Sequence, residues 1–181
     1  MMRVCLDACV LYPTVLREIL LGVAATGLYQ PQWSDRILEE WARATVKLGP
    51  GAEVQARGEI AMLKTRWPDA SIAPRDSDLA RLWLPDENDI HVLAAAVAGS
   101  ADVIVTFNAK DFPRATLAEE GVKRAAPDEF LMQLWLEHPD QVADVVRRVH
   151  SDAERLAATD IALRSLLKRT RLPRLGKALS V

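Results

Sequence analysis

The chain has 181 residues, of which 50% are hydrophobic, and a formal net charge of −2. This length suits one domain with an appendage, and the composition is sufficient for a full hydrophobic core, which excludes a disordered chain. No run approaches the 18 apolar residues of a membrane span, and the first residues lack a signal-peptide pattern, so we expect a cytoplasmic protein.

The charge is distributed unevenly along the chain. Residues 147–181 contain nine basic and three acidic side chains, whereas residues 1–146 contain 14 basic and 22 acidic ones. An acidic body suggests a site that attracts cations, and a basic tail suggests a surface for phosphates or another acidic partner. The alternative, that the tail docks on its own acidic body, is equally compatible with the pattern.

In chain order, residues 3–7 (RVCLD) predict a short strand that ends at Asp7. Apolar residues at helical spacing predict a helix that begins at Pro13 and ends at Gly27. Residues 28–33 (LYQPQW) predict a second strand, and the proline within it marks an edge or irregular position. Ser34 is a good cap for a helix that extends to Gly49.

This capped helix carries two adjacent glutamates. Glu39 lies four residues before Arg43, which is typical of an exposed helical ion pair. Glu40 points about 100° away from Glu39, so it is either available for function or simply solvated. Further along, we interpret Asp78 and Arg81 as surface charges.

Residues 85–113 are the most informative stretch of the chain. Asp86 and Asp89 precede an almost wholly apolar helix, and a buried β-branched strand at residues 101–106 follows it. The helix also contains a histidine, His91, which we interpret as a packed or hydrogen-bonded core residue. The polar loop after the strand carries an asparagine and an aspartate, and ligands bind at such loops in parallel α/β proteins.

The remaining elements complete the predicted fold. A helix is predicted at residues 114–120, with a last edge strand at residues 122–125. The whole pattern predicts an α/β fold with a small parallel sheet of about four to five strands and helices on both faces.

The chain is predicted to have two parts. Residues 1–127 form the α/β domain, and residues 128–181 form a basic helical extension. This extension is divided into three helical segments by Pro139, residues 157–159 and Pro173.

Five carboxylates define the candidate chemistry. The chain has no glycine-rich phosphate loop, no nucleophile elbow and no Ser-His-Asp pattern. Clustered carboxylates repel one another unless a proton or a metal compensates, and oxygen ligands suit Mg²⁺ or Mn²⁺. Such a cation can activate water and stabilise the departing oxygen of a phosphodiester. The predicted metal ligands are Asp7, Glu40, Asp86, Asp89 and Asp111, and Thr106 and Asn108 are suited to orienting them.

These residues resemble a known family. Four motifs of the chain are similar to those of PIN-domain ribonucleases of the VapC toxin type. They are Asp7 at the end of the first strand, WSDRILEE with Glu40, the D-x-x-apolar-x-A-x-A pattern from Asp89 and T-x-N-x-x-D-F from Thr106. The resemblance covers roughly residues 2–130. It implies that Asp7, Glu40, Asp89 and Asp111 are the catalytic acids, with Asn108 as the polar residue before the last acid.

The resemblance also implies cofactors and partners. Proteins of this type bind one or two Mg²⁺ or Mn²⁺ ions, cut single-stranded RNA, are inhibited by a cognate antitoxin and are usually homodimers. Asp86 is an additional carboxylate that is either a metal ligand or a helix cap. The chain after Asp128 is similar to the helical extension of one bacterial subgroup, and four of its basic residues are candidates for contact with RNA or a partner: Arg164, Lys168, Arg169 and Arg171.

Two other functions fit parts of the sequence. A phosphatase of the haloacid-dehalogenase type would use Asp7 as a nucleophile, but it requires a second aspartate where this chain has Cys9. A non-catalytic module on the same fold would bind RNA or protein through the basic tail. RNA binding without metal-dependent cutting would identify that module.

Overall fold

A computed structural model describes residues 1–180. The chain forms two compact units, the first made of residues 1–12 and 29–125 and the second made of residues 13–28 and the chain from residue 126 onward. Residues 13–28, which the sequence led us to include in the α/β domain, therefore pack with the C-terminal helices instead. Periodicity predicted the helix in this segment but could not reveal its packing partners.

The first unit contains a parallel sheet of four strands. They are β1 (Arg3–Leu6), β2 (Gln30–Gln32), β3 (Val103–Val105) and β4 (Lys123–Ala125), and their order across the sheet is β2-β1-β3-β4. All three strand pairings are parallel. The predicted α/β fold is confirmed, and β2 with Pro31 and the final strand β4 are edge strands as expected.

Strand β1 lies at the centre of the first unit. Val4, Cys5 and Leu6 are each fully buried. Because successive side chains of a strand point to opposite faces, their burial means that both faces of β1 are covered. Cys5 packs in the core as a small apolar side chain, and burial raises the pKa of its thiol.

Helices make up most of the described chain. In chain order they are α1 (Ala8–Leu11), α2 (Thr14–Ala25), α3 (Asp35–Ala44), α4 (Pro50–Arg66), α5 (Asp76–Arg81), α6 (Ile90–Ala98), α7 (Arg114–Glu119), α8 (Pro127–Glu137), α9 (Pro139–Ala157), α10 (Leu163–Arg169) and α11 (Pro173–Leu179). Short 3₁₀ turns occupy Val46–Leu48, Pro68–Ala70, Glu87–Asp89 and Ala109–Asp111.

Local capping explains several of these boundaries. Ser34 Oγ accepts a hydrogen bond from the Ile37 amide at 3.2 Å, which fixes the start of α3 as predicted. The helix ends at Ala44, and the predicted continuation to Gly49 is a 3₁₀ turn instead. Pro50 occupies the first turn of α4, where its missing N–H costs no helical hydrogen bond.

One prediction about surface charge is wrong. Asp78 is buried, and its Oδ1 accepts a hydrogen bond from Arg81 Nε at 2.8 Å. Arg81 also binds Glu120 through its two terminal nitrogens, at 2.6 and 3.1 Å. Asp78 can be buried because Arg81, which also binds Glu120, compensates the charge of the Asp78 carboxylate.

The second unit is entirely helical within the described residues. Helix α2 packs against α9, and α8 packs against both α9 and α11, while α10 contacts α11. The approach of α2 to α9 is close at Gly22, where an added Cβ would lie 2.6 Å from Val145 Cγ1. The extension contains four helices rather than three segments, since each of the three predicted breaks separates two helices.

A carboxylate anchors the last helix of this unit. Asp128, near the start of α8, accepts hydrogen bonds from the backbone amides of Arg174 and Leu175 at 2.9 and 3.1 Å. These amides belong to the first turn of α11 and have no acceptor within the helix. Among residues 1–180, no helix combines the length and apolar character that crossing a bilayer requires.

Candidate active site at the ends of β1 and β3

The candidate site begins where two neighbouring strands end. Strands β1 and β3 are adjacent and parallel, so their carboxyl ends lie at the same edge of the sheet. The Asp7 amide continues this pairing by donating to the Val105 carbonyl at 3.1 Å. Asp7 and Thr106, the residues that follow the two strands, therefore lie next to each other.

Hydrogen bonds hold the Asp7 carboxylate in one position. Asp7 is only 4% exposed. Its Oδ1 accepts from the Ala8 amide at 2.8 Å, and its Oδ2 accepts from the Thr106 hydroxyl at 2.8 Å. Burial raises the pKa of Asp7, and the charge of Glu40 adds to this, whereas these hydrogen bonds act in the opposite direction.

Cys9 is part of the same cluster, which the sequence did not reveal. Its thiol donates to Asp7 Oδ2 at 3.6 Å and lies 3.6 Å from Thr106 Oγ1. The Phe107 amide in turn donates to Cys9 Sγ at 3.4 Å. Burial and the nearby Asp7 charge raise the pKa of the Cys9 thiol to about 12. Cys9 is therefore a neutral side chain beside Asp7 at neutral pH.

Asp89 lies where the charges of the other acids converge. Burial raises its pKa to about 6, and four nearby carboxylates add to the increase: Asp7, Asp86, Asp111 and Glu40. Like charges raise a carboxyl pKa only when they are close enough to disfavour its ionised form. The structure therefore brings all five predicted acids into one electrostatic neighbourhood.

The loops place the other predicted residues around this centre. Asp86 is exposed, and its Oδ1 accepts a hydrogen bond from the Asn88 amide at 2.9 Å. Asp86 therefore caps the Glu87–Asp89 turn. Asn108 is also exposed, and its amide donates to Thr106 Oγ1 at 3.0 Å. Asp111 is half-buried at the end of the following turn.

Glu40 contacts a buried histidine. Glu40 Oε1 lies against Nε2 of His91, which is 2% exposed. Neither ring nitrogen of His91 makes a hydrogen bond of regular geometry within residues 1–180. The contact joins α3, which carries Glu40, to α6, which follows Asp89. Glu39 instead pairs with Arg43 as predicted, and also with Arg57 at 2.9 Å.

Comparison with known protein families matches residues 3–110 to the PIN domain family. The chain belongs to the PIN domain family. The match includes Asp7, Glu40 and Asp89 together with strands β1 and β3, and it confirms the resemblance identified from the motifs.

A more specific likeness covers a smaller part of the PIN-domain chain. A Mycobacterium tuberculosis protein named "Putative ribonuclease VapC50" is 52% identical over 44 residues. The aligned segment covers 24% of this chain and 26% of that protein. No solved structure matches the chain.

The acids of the PIN domain are near one another without being arranged as a closed metal cage. Within the described part of the chain, no three His, Cys, Asp or Glu side chains surround one point as ligands to a single ion. Mg²⁺ usually binds through one or two carboxylates and keeps several waters. The donor chemistry therefore fits a hard cation held by part of the cluster.

The basic candidates lie in the second unit. Helix α10 carries Arg164, Lys168 and Arg169, which are all exposed, and Arg171 follows it with a φ of 63°. Their contact with RNA or a partner stays a prediction.

Sequence reasoning missed His91 as a partner of Glu40. Its position two residues after Asp89 in α6 was visible, but its contact with a residue of α3 depends on tertiary packing. The sequence did contain one signal, since Glu39 was assigned to Arg43 and Glu40 was left without a partner.

Proposed function

We propose that this protein is a metal-dependent endoribonuclease and the toxin of a bacterial toxin–antitoxin pair. Membership of the PIN domain family and the partial likeness to a protein named as a VapC ribonuclease support this proposal. The observation that carries it is the convergence of four carboxylate charges on Asp89. Such repulsion is compensated most directly by a bound cation.

The proposed cofactor is Mg²⁺ or Mn²⁺. Asp7 and Asp89 are the first candidates to hold it, with Glu40 and Asp111 contributing ligands or charge. Asp86 is less favoured as a ligand because its carboxylate already caps a turn. When bound, such a cation supplies Lewis-acid stabilisation of the reacting phosphodiester and lowers the pKa of water.

The other residues of the site would hold the acids in place. Thr106 and the Ala8 amide fix the Asp7 carboxylate through two hydrogen bonds of 2.8 Å. His91 restrains Glu40 from the side of α6. Asn108 donates its backbone amide to the Thr106 hydroxyl, which orients that hydroxyl toward Asp7. These contacts leave the Asp7 carboxylate little rotational freedom. This favours catalysis because the carboxylate need not reorient before the reaction.

The proposed partners follow from the same likeness. They are an RNA substrate, a cognate antitoxin and a second copy of the chain in a homodimer. The exposed basic residues of the C-terminal helices would contact the RNA backbone or the antitoxin. No aromatic residue lies between Arg164 and Lys177 to stack on bases, so these contacts would not depend on base identity.

The decisive experiment is cleavage of mixed cellular RNA by the purified protein. The reactions contain Mg²⁺, Mn²⁺ or a chelator, and they include Asp7→Asn. The matched control is Asp69→Asn, which removes an exposed carboxylate from the Pro68–Ala70 turn. We expect discrete fragments that require metal, persist in Asp69→Asn and disappear in Asp7→Asn while its circular dichroism is unchanged.

Other outcomes would contradict the proposal. Cleavage retained by a cleanly purified Asp7→Asn protein would show that another site or a contaminant cuts the RNA. RNA binding without cutting in any condition would instead identify a non-catalytic binding module. Turnover of an aryl phosphate with a trapped aspartyl-phosphate would identify the phosphatase alternative.

A further inference from the structure

An open groove runs beside the candidate site along helix α3. Its volume is about 750 Å³, and its lining residues are Asp35, Arg36, Glu39, Glu40, Arg43 and Asn88. Glu40 belongs to the acidic cluster, and Asn88 immediately precedes Asp89 in the chain. The groove is therefore continuous with the candidate active site.

The carboxylates of this groove all have partners. Asp35 pairs with Lys64 at 2.9 Å. Glu39 pairs with Arg57 at 2.9 Å and with Arg43 at 3.1 Å. Glu40 contacts His91. The negative charges of Asp35 and Glu39 are thus compensated by basic side chains, whereas Glu40 remains part of the acidic cluster.

Arg36 differs from the other charged residues of the groove. It is exposed, and within residues 1–180 its side chain makes no ion pair or hydrogen bond. It precedes Glu40 by four residues in α3, so the two side chains lie on the same side of the helix, one turn apart. Among the described residues, Arg36 is consequently the basic group of the groove without an anionic partner, and it lies next to the acidic cluster.

We propose that the groove holds single-stranded RNA beside the cleavage site, with Arg36 bound to a backbone phosphate. This inference rests on the proposed nuclease function and assigns a substrate-binding residue to it. A guanidinium suits this role because its planar N–H groups can bind two phosphate oxygens at once. Asn88 also lines the groove, and a side-chain amide of this kind can donate a second hydrogen bond to the RNA strand.

The test compares Arg36→Ala, Arg36→Lys and a control, Arg66→Ala. Arg66 is an exposed arginine in the last turn of α4, and within the described residues it has no ion pair. Binding of a short fluorescent single-stranded RNA is measured by anisotropy in chelator over a range of salt concentrations. Cleavage of the same RNA is then measured with Mg²⁺, and circular dichroism checks that each variant folds.

We expect Arg36→Ala to weaken RNA binding about tenfold. The slope of the logarithm of the RNA association constant against the logarithm of salt concentration should decrease in magnitude by about 0.7. This is the contribution of one phosphate contact in single-stranded nucleic acid. Arg36→Lys should keep the slope and lose part of the affinity, and Arg66→Ala should match the wild type. In cleavage, Arg36→Ala should raise KM and leave kcat nearly unchanged.

Binding and cleavage separate this inference from the nuclease proposal. If the wild type cuts RNA and Arg36→Ala matches Arg66→Ala in affinity and slope, the Arg36 assignment is wrong and the nuclease proposal stands. If no protein cuts but Arg36→Ala still weakens binding and lowers the slope, the groove binds RNA and the nuclease proposal fails. Loss of a co-purifying protein from Arg36→Ala, with RNA binding unchanged, would assign the groove to a protein partner and overturn the inference.

Discussion

Thr106 donates its hydroxyl hydrogen to Asp7 Oδ2 at 2.8 Å, although the two residues are 99 positions apart. Thr106→Val keeps the shape of the side chain and removes this donor. We expect cleavage to fall by about 10–100-fold and the free energy of unfolding to fall by about 1–3 kcal/mol, because a buried carboxylate oxygen loses its strongest partner. Thr106→Ser, which keeps the hydroxyl, should retain most of the cleavage activity and most of the free energy of unfolding. Equal activity of the two variants in a cleavage assay would contradict this role.

The contact between His91 and Glu40 predicts a positioning role for the histidine. His91→Leu fills a similar volume and cannot contact Glu40 through a polar atom. We expect kcat to fall by about 10–100-fold with little change in KM. His91→Gln, which has a side-chain N–H donor, should recover part of kcat. A role limited to packing would instead predict that His91→Leu keeps kcat and that His91→Gln lowers stability.

Repulsion around Asp89 predicts that removing its charge stabilises the metal-free protein. At neutral pH in chelator, Asp89→Asn should raise Tm by about 2–4 °C, which corresponds to about 1 kcal/mol after allowance for solvent screening. The same variant should lose cleavage. Asp86→Asn is the control, since asparagine caps a helical turn as well as aspartate does, and its effect on cleavage should be milder. A fall in Tm for Asp89→Asn, measured by calorimetry, would argue against the repulsion.

Two helical glycines should respond to alanine in opposite directions. Gly22→Ala would place a Cβ 2.6 Å from Val145 Cγ1, and such overpacking typically costs about 1–3 kcal/mol. Gly58→Ala, on α4, has no atom within 4 Å of the added Cβ and should stabilise the protein by about 0.5–1 kcal/mol through helix propensity. Urea unfolding of both variants measures the difference. Stabilisation by Gly22→Ala would show that α2 and α9 are not in close contact.

The ion pair between Arg81 and Glu120 predicts a pH-dependent contribution to stability. Arg81 holds the pKa of Glu120 below its usual value of 4.5. A carboxyl whose pKa is lowered by folding stabilises the protein above its unfolded pKa and loses this effect as the pH falls. Glu120→Gln should therefore lower Tm slightly at neutral pH. At pH values far below 4.5 it should leave Tm unchanged. Glu119→Gln, which removes an exposed neighbouring charge, is the matched control.

The sequence predicted the features that depend on local patterns. The Ser34 cap, the pair between Glu39 and Arg43 and the buried strand β3 all follow from residues close together in the chain. The positions of Asp7 at the end of one predicted strand and of Asp111 in the loop after another also indicated that these two acids would lie at the same edge of the sheet.

Features that depend on contacts between distant residues were not predictable in the same way. Asp78 resembles a surface residue until Arg81 and Glu120 are seen beside it. His91 has the pattern of a core residue, and only the packing of α6 near α3 gives it a polar partner. Periodicity likewise predicted α2, but it contains no information about α9 as its neighbour.

The pairing of α2 with α9 also has a consequence for synthesis on the ribosome. About 110 residues separate the two helices, so at about 5–20 residues per second α2 waits for several seconds before α9 has been made. During this time the face of α2 that meets α9 is uncovered. We expect nascent chains stopped between residues 126 and 138 to need a chaperone or to aggregate, even though all four strands of the sheet have already been translated.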